Sequence, residues 1–311
     1  MEWRLAADEK VQPDAMGSVA FGSRLTCLEA ELSLLNDKPE ETPESTLRAL
    51  WMAAAGTPMS AERAVDCRLP ELGTSQVTEL DGMIERRLFG VPLGHITERQ
   101  MFMGIEFVVG SGAMLPRRET EILGRAAAKV AAGVLEAQET ALMVDTCCGC
   151  GNVALAVAHG VPDVRVIGID LSPTAIELAR ANSRWLGLDD RVEFLVGDLM
   201  EPISDVAGQV DLITCNPPYI SSSKVGGMAQ EISDFEPCMA FDGGPFGVNI
   251  LRRLLKEGPM ALRPGGHLAF EVGLGQGDSI LSRMQKSGIF RSSEPQRDPT
   301  GSIRAIVAQL A

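Results

Sequence analysis

The chain of 311 residues is poor in basic side chains and in aromatic ones, and it has no long apolar run. Lysine and arginine number 28 against 42 acidic residues, a net charge of −14, which argues against the basic face that nucleic-acid-binding proteins carry. No apolar run approaches the roughly 20 residues that a membrane-spanning helix needs, and the first residues lack the apolar core of a signal peptide. No membrane association or export is therefore expected.

Histidine and cysteine form no recognisable catalytic or disulfide pattern. The three histidines are isolated, and no Ser–His–Asp arrangement can be read around them: His95, His159 and His267. The seven cysteines are an odd number scattered through a large chain, which fits a reducing compartment better than a disulfide framework. We therefore expect a cytoplasmic protein.

Four regions differ in composition and periodicity. Residues 1–42 mix charge, glycine and proline with a weak apolar stretch around Leu28 to Leu35, and this N-terminal extension is expected to be flexible, either frayed or only loosely helical. Residues 43–90 have apolar side chains at helical spacing and predict a small helical domain. Residues 91–114 have short apolar stretches among glycines and predict a β-hairpin linker. Residues 115–311 form the largest region.

In residues 115–311, β-type runs alternate with helical ones. Strands are predicted at residues 141–145, 164–170, 192–196, 210–215, 267–272 and 302–310. Helices are predicted at residues 119–135, 152–158, 172–186 and 248–262. Continuous apolar strands separated by helices of this length predict an α/β domain with a parallel sheet covered on both faces.

Polar side chains follow the ends of successive predicted strands. The first strand runs into Asp145-Thr146-Cys147-Cys148-Gly149-Cys150-Gly151, and the second ends at Asp170. Small residues let a loop backbone approach a ligand, and an acid about 20 residues further on can accept both hydroxyls of a ribose. The loop lacks the complete Gly-x-Gly-x-x-Gly of diphosphate sites, which favours S-adenosylmethionine over NAD. Asp198, after the third strand, can accept from an adenine amino group; alone it would be interpreted as a capping or solvated acid, but together with Asp145, Asp170 and Asn216 it favours a ligand site.

The chain's only tyrosine closes the tetrapeptide Asn216-Pro217-Pro218-Tyr219, directly after an apolar strand. An amide nitrogen is a poor nucleophile because its lone pair is delocalised. If the Asn216 side-chain oxygen and the Pro217 carbonyl accept its two hydrogens, they orient the nitrogen and favour the positive charge that develops on attack. The prolines hold the backbone extended, and Tyr219 can stack on the planar group. The tetrapeptide therefore predicts a site for a planar nitrogen.

This tetrapeptide is similar to the signature of S-adenosylmethionine-dependent methyltransferases that act on planar nitrogens. Upstream, Leu115-Pro116-Arg117-Arg118-Glu119-Thr120-Glu121 resembles the Ile-Pro-Arg-Pro-Glu-Thr-Glu segment of the HemK/PrmC family, the protein-(glutamine-N5) methyltransferases of peptide-chain release factors. Further matching segments, in family order, lie at residues 102–107, 235–237, 241–244, 263–266 and 271–273.

The resemblance implies a fold, a reaction and a partner. The fold would be a Rossmann-like class I methyltransferase domain with a seven-stranded sheet, after a small helical domain that docks the protein substrate. The cofactor would be S-adenosylmethionine, with S-adenosylhomocysteine as the product. The methyl acceptor would be the glutamine of a Gly-Gly-Gln loop in a release factor.

The same resemblance assigns site residues. Those implied for the cofactor are Asp145, Thr146, Cys147, Cys148, Gly149, Cys150, Gly151, Asp170, Leu171, Asp198, Leu199 and Asn216. The loop Cys147 to Gly151 would hold the methionine part, Asp170 the ribose, and Asp198 with Leu199 the adenine. Those implied for the substrate are Pro116, Arg117, Glu119, Asn216, Pro217, Pro218 and Tyr219. Asn216, Pro217 and Tyr219 would act on the reacting amide.

Some residues depart from the family pattern, and other functions stay open. Arg118 replaces a proline, Leu199 stands where an aromatic is common, and three cysteines (147, 148 and 150) replace Gly, Ser or Thr. One alternative is a paralogue that methylates another planar amide or amine. Another is an adenine-N6 methyltransferase, which should carry a basic target-binding region. A binding protein that keeps the fold is a third, against which intact Asp170, Asn216 and Tyr219 argue.

A cluster of thiols is a further possibility. Cys147, Cys148 and Cys150 follow one strand and Cys215 ends another that neighbours it in the usual methyltransferase strand order, so four thiols could gather. Their spacing is not the paired Cys-x-x-Cys of a zinc site, and cysteine is also an ordinary small buried residue. No metal is predicted, and the oligomeric state is left open.

Overall fold

The N-terminal part of the chain is helical. The computed structural model describes residues 15–35 and 38–311. Within these residues, the helices before the first strand are α1 (Ala15–Glu31), α2 (Pro43–Ala54), α3 (Ala61–Ala64), α4 (Thr74–Leu88) and α5 (Leu93–Thr97). Buried Leu28, Leu50 and Leu80 bring α1, α2 and α4 into one apolar core.

The flexible extension expected for residues 1–42 contains a helix. Residues 1–14 and 36–37 lie outside the described residues, whereas residues 15–31 form α1. Leu28 is fully buried, so packing against the core supplies the order that the weak apolar pattern of this segment did not predict. Next, α2 begins at a capping box: Thr42 Oγ1 accepts from the Ser45 N–H at 3.1 Å, and Ser45 Oγ accepts from the Thr42 N–H at 2.8 Å.

A short hairpin connects the helices to the sheet. Strands β1 (Arg99–Phe102) and β2 (Ile105–Val108) pair antiparallel. Asn182 fastens the hairpin to the rest of the chain, because its side chain accepts from the Val108 N–H at 2.8 Å and donates to the Val108 carbonyl at 2.9 Å. The same amide donates to the Cys150 carbonyl at 3.0 Å. Hairpin and candidate cofactor loop are therefore held by one side chain.

The remaining strands form the seven-stranded sheet that the resemblance implied. They are β3 (Ala141–Thr146), β4 (Val164–Asp170), β5 (Val192–Val196), β6 (Val210–Cys215), β7 (Leu262–Glu271), β8 (Phe290–Arg297) and β9 (Ile303–Leu310). Their order is β5-β4-β3-β6-β7-β9-β8. The helices are α6 (Glu121–Leu135), α7 (Asn152–Gly160), α8 (Pro173–Leu186), α9 (Ser222–Val225), α10 (Gln230–Ser233), α11 (Asn249–Ala261) and α12 (Gly277–Ser287).

Both faces of the sheet are covered, as predicted. Successive strand residues point to opposite faces, so each inner strand serves two cores. Met143 and Leu212 pack with α6, α7 and α8, whereas their neighbours Val144 and Ile213 pack with α11 and α12. The α/β fold class is confirmed.

The prediction of an all-parallel sheet is wrong at one edge. Strand β9 runs antiparallel to both β7 and β8. The connection from β8 to β9 is a tight turn, in which Asp298 Oδ1 accepts from the Thr300 and Ser302 N–H groups, and a turn this short can join only antiparallel strands. Strand β8 was not predicted because it is a polar edge strand that contains Pro295. No helix in the described ranges is both long and apolar enough to cross a membrane.

Candidate active site

A cleft opens at the carboxyl ends of β3, β4, β5 and β6. Its empty volume is about 1160 Å³, part of it open to solvent. Ten of the twelve predicted cofactor residues line it, the exceptions being Cys150 and Gly151. Of the predicted substrate residues, Asn216 and Pro218 line it. The others stand outside its lining: Pro116, Arg117, Glu119, Pro217 and Tyr219.

The loop between β3 and α7 leaves room beside its backbone. Cys147, Gly149 and Gly151 have φ of 55°, 56° and 80°, a left-handed conformation that is unusual for a residue with a side chain such as Cys147. A Cβ at Gly149 would meet no atom within 4 Å, so this residue borders open space. A Cβ at Gly151 would lie 2.8 Å from the Phe194 ring, so glycine lets α7 start close to the sheet.

Asp170 at the end of β4 is held ready as a hydrogen-bond acceptor. Its Oδ2 accepts from the Gly149 N–H and its Oδ1 from the Ser172 N–H, both at 2.9 Å. Burial raises the pKa of Asp170, while the Ser172 and Gly149 N–H groups oppose the rise. Each carboxylate oxygen keeps further acceptor capacity, and the residue lines the cleft. Two adjacent hydroxyls, as on a ribose, fit this carboxylate.

Asp145 at the end of β3 uses its carboxylate inside the protein. Oδ1 accepts from the Thr214 hydroxyl at 2.6 Å, and Oδ2 accepts from the Ala154 N–H at 3.1 Å. That N–H belongs to the first turn of α7, whose N-cap Gly151 has no side chain to accept it. Burial raises the pKa of Asp145 to about 7, against the opposing hydrogen bonds. Asp145 therefore anchors the cofactor loop from below while bordering the cleft.

Asp198 after β5 is an ion-pair partner of α11. Both of its oxygens lie 2.9 Å from Arg253 Nη1, and both side chains are 42% exposed. Leu199, which follows, is buried and has a φ of 50°. A ligand amino group would share the Asp198 carboxylate with Arg253 and with solvent. This is a weaker acceptor site than that of Asp170.

Asn216, directly after β6, presents one end of its amide to the protein. Its Nδ2 donates to Thr120 Oγ1 at 3.1 Å, and Thr120 is 1% exposed. Within the described part of the chain, neither Asn216 Oδ1 nor the Pro217 carbonyl accepts a hydrogen bond. Two acceptors at consecutive residues are thus left over after β6, and the first of these residues lines the cleft. They match the two hydrogens of a primary amide.

Tyr219 is fixed through its hydroxyl group. The hydroxyl donates to Glu271 Oε1 at 3.0 Å, and Glu271 is 2% exposed. Burial and the Glu271 carboxylate raise the pKa of Tyr219, which stays neutral. The backbone is held as well, because Gln276 donates to the Tyr219 carbonyl at 3.1 Å.

The segment 235–242 closes one side of the cleft. Glu236, which is buried, accepts from the Leu115 N–H at 2.9 Å and forms an ion pair with Arg117. The predicted rim residue Arg117 is therefore engaged by this segment. Half of the fourteen cleft residues that sequence reasoning missed come from here and from the stretch after the hairpin: Gly112, Ala113, Met114, Pro237, Met239, Ala240 and Asp242. Matches to the family at residues 235–237 and 241–244 were a usable signal for the first group, whereas residues 112–114 had none.

The seven cysteine thiols are free, and three of them are buried: Cys148, Cys150 and Cys215. Burial raises the pKa of Cys148 well above its ordinary value and that of Cys150 to about 12, so both stay neutral thiols. Burial also raises the pKa of Cys215, followed by a hydrogen bond with Cys147. Among the residues with described positions, no three His, Cys, Asp or Glu side chains are grouped as ligands of a metal ion.

Comparisons with known proteins indicate a methyltransferase. A family profile described as "Methyltransferase domain" matches residues 143–235. The chain is 36% identical over 225 residues to the release factor glutamine methyltransferase of Moorella thermoacetica, which covers 72% of this chain and 77% of that protein. Identity to the protein of the same name is 33% in Geobacter sulfurreducens, over 77% of this chain and 80% of that one. In Koribacter versatilis it is 33%, over 86% and 89%.

Among solved structures, the hMettl16 catalytic domain in complex with the MAT2A 3′UTR hairpin 6 is similar in fold. The TM-score is 0.51 with 10% identity, over 66% of this chain and 75% of that one. At this identity, the likeness supports the methyltransferase fold alone.

Proposed function

The chain belongs to the release factor glutamine methyltransferase family, and we propose that it methylates the side-chain amide nitrogen of a glutamine in a peptide-chain release factor. It is an S-adenosylmethionine-dependent methyltransferase. The bound cofactor supplies an electrophilic methyl group on sulfur and leaves as S-adenosylhomocysteine.

The observation that carries the proposal is the pair of unused acceptors at Asn216 Oδ1 and the Pro217 carbonyl. A substrate amide that donates one hydrogen to each is held with its nitrogen lone pair directed into the cleft. Accepting these hydrogens also stabilises the positive charge that grows on nitrogen during transfer. The neutral Tyr219 ring provides a flat wall for the amide plane. The methylated nitrogen then loses one proton to solvent, to which the cleft is partly open, so a side-chain base is not needed at the tetrapeptide.

We assign the cofactor roles by position in the cleft. The backbone between Cys147 and Gly151 would face the methionine part, where Gly149 borders open space. Asp170, with Leu171 beside it, would accept from the ribose hydroxyls. Asp198 and Leu199 would meet the adenine. Pro116, Arg117 and Glu119 would shape the rim on the substrate side, with Arg117 held by Glu236.

We further propose that the helical domain at residues 43–90 docks the release factor. A buried ion network links this region to the methyltransferase domain: Arg87 donates to Glu41 at 2.9 Å and to Glu231 at 3.1 Å. Lys38 also donates to Glu231, at 2.8 Å. A protein bound to the helices would therefore be held at a defined distance from the cleft. The net charge of −14 favours a protein substrate over nucleic acid, and a release factor substrate implies action in the cytoplasm.

The test is methyl transfer from labelled S-adenosylmethionine to a release factor, with the product peptide mapped by mass spectrometry. We expect the label on the glutamine of the Gly-Gly-Gln loop and none when that glutamine is replaced by asparagine. Asn216→Ala should abolish turnover and leave the cofactor Kd within about threefold. Asn249→Ala removes the same atoms at an exposed position outside the cleft lining and is the matched control. Label found only on nucleic acid, or equal loss in both variants, would overturn the proposal.

A further inference from the structure

The orientation of the Asn216 amide decides whether the substrate meets an acceptor or a donor. An asparagine side chain is nearly symmetric in shape, and its two ends differ only in hydrogen bonding. The proposed function, on which this inference rests, requires Oδ1 to face the cleft. A neighbouring group in the protein must therefore favour one orientation of the Asn216 amide over the other.

Thr120 is the direct hydrogen-bond partner of Asn216, and its hydroxyl is not used to cap a helix. Thr120 precedes α6 as the N-cap residue but makes no capping hydrogen bond with its side chain. Its oxygen takes part in the 3.1 Å contact with Asn216 Nδ2, and the residue is 1% exposed. A hydroxyl has one hydrogen and two lone pairs, so its hydrogen needs a separate acceptor. At this burial, solvent does not supply one.

The candidate acceptor is Glu271, whose carboxylate also holds Tyr219 of the tetrapeptide. Its carboxylate is 2% exposed, Oε1 accepts from Tyr219, and Oε2 is buried with no hydrogen bond of its own. Burial raises the pKa of this carboxylate, and the Thr120 hydroxyl is the group that opposes the rise most strongly. Arg304 Nη2 stays 3.9 Å from Oε1, which is too far for a hydrogen bond. The orphaned oxygen and the uncommitted hydroxyl hydrogen complement each other.

We propose that Glu271 is a positioning residue that sets the polarity of the amide slot through Thr120. An ionised carboxylate can only accept, and the Thr120 and Tyr219 hydroxyls and the Arg304 charge favour this form of Glu271 against burial, so it takes the Thr120 hydrogen. Thr120 can then only accept from Asn216, which must present Nδ2 to Thr120 and Oδ1 to the substrate. Glu271 also holds the Tyr219 hydroxyl, so one buried carboxylate fixes both side chains of the slot.

A pair of substitutions at position 120 tests the role of the hydroxyl. Thr120→Ser keeps the hydroxyl and should retain kcat within about threefold. Thr120→Val keeps the shape but loses the hydroxyl, so Asn216 is no longer locked and kcat should fall about tenfold, the equivalent of one hydrogen bond. The cofactor Kd should not change in either variant. Equal activity of the two variants would overturn the proposal.

A double-mutant cycle with Glu271→Gln tests the relay. In this variant the Tyr219 hydroxyl donates to the glutamine oxygen, so the glutamine NH₂ faces Thr120. The Thr120 hydroxyl must then accept from this NH₂ and point its own hydrogen toward Asn216. Asn216 accepts that hydrogen through Oδ1, so its amide is reversed. A donor then faces the substrate, and kcat should fall about 100-fold, as when one oxyanion-hole contact is lost. With valine at position 120 there is no hydroxyl to turn, so the double variant should recover to the level of Thr120→Val. Additive losses, or full activity of Glu271→Gln, would show that Glu271 does not act through Thr120.

A second measurement does not depend on the methyl acceptor. The chain has five asparagines, so selective ¹⁵N-asparagine labelling gives five side-chain amide pairs, of which Asn216→Ala removes one. In the wild type, one hydrogen of that pair should exchange slowly because it is bonded to Thr120, and Thr120→Val should make it exchange fast. If the wild type shows this lock but methylates no glutamine, the proposed function fails and the relay stands. If it methylates glutamine but the exchange is the same in both proteins, the relay fails.

Discussion

Replacing Asp170 by asparagine should weaken cofactor binding far more than the same change at Asp198. Both carboxylates follow strands at the cleft, but their surroundings differ. Asp170 accepts from Gly149 and Ser172 and keeps capacity for two hydroxyls, whereas Asp198 is 42% exposed and already paired with Arg253.

The magnitude follows from the number of charge-assisted hydrogen bonds. Each hydrogen bond to a charged group contributes about 1.5–3 kcal/mol, so two ribose hydroxyls on Asp170 give about 3 kcal/mol at the lower limit, about 100-fold in Kd. An asparagine at position 170 also turns an NH₂ toward one of the two loop N–H groups, which adds to the loss. At Asp198, one shared and solvated contact with a cofactor amine is worth about 1 kcal/mol, about fivefold.

Titration calorimetry with S-adenosylmethionine measures both Kd values, and thermal unfolding of the cofactor-free proteins serves as the folding control. Burial raises the pKa of Asp170, so removing its charge offsets part of the cost of turning an NH₂ toward a loop N–H, and the melting temperature should fall only modestly. The charged form that accepts the hydroxyls is lost at a higher pH than in an ordinary aspartate. Affinity should therefore decline as the pH is lowered in the wild type and much less in Asp170→Asn. A larger loss of affinity in Asp198→Asn than in Asp170→Asn would refute the reasoning.

Individual contacts give three further expectations. Because burial raises the pKa of Asp145 to about 7, its protonation stabilises the folded state at low pH, and at most about 4 kcal/mol is lost as the pH rises through 7. Asp145→Asn should remove this slope from urea unfolding measured at pH 4 to 8, and an unchanged slope would contradict it. Gly243→Ala should lower kcat with little change in cofactor Kd, since its Cβ would clash with the Pro218 carbonyl oxygen; normal kcat would count against this. Gly133→Ala, in open space on α6, should leave kcat unchanged and stabilise the protein by up to about 1 kcal/mol, seen as a higher melting temperature, and a lower one would exclude it.

The sequence predicted the parts of the fold that depend on local pattern. The inner strands are continuous apolar runs, and the predicted range of β6, residues 210–215, agrees with the structure to the residue. Strand β8 was not predicted because a polar edge strand lacks that pattern. The antiparallel direction of β9 was not predicted because it depends on a turn rather than on the strand itself. Helix α1 was predicted at most as a loose helix, because its order comes from packing of Leu28 against other helices, which its own sequence does not express.

For the site, the sequence predicted which residues reach the cleft but not what else they bind. Asp145, Asp170 and Asp198 look alike as acids after strands, yet one supports α7, one borders open space and one pairs with an arginine on α11. These differences arise largely from partners distant in the chain, up to 69 positions away for Asp145 and 55 for Asp198. Thr120, 96 positions before Asn216, had no signal of its own beyond its place in the resembling segment.

The contacts divide the site into two halves that depend on different strands. The cofactor half is supported at β3 and β4, where Asp145 and Asp170 bind the loop that follows β3. The amide half follows β6 and is supported by Thr120 and by Glu271 at the end of β7. The supports meet at one contact, where Thr214 on β6 donates to Asp145, and the others are separate. Loss of a separate support should therefore act on cofactor affinity in one half and on turnover in the other. Strand β6 lies between β3 and β7 and so brings the two halves together. A strand order that separated β3 from β6 would keep every residue of both halves but would hold them too far apart to react.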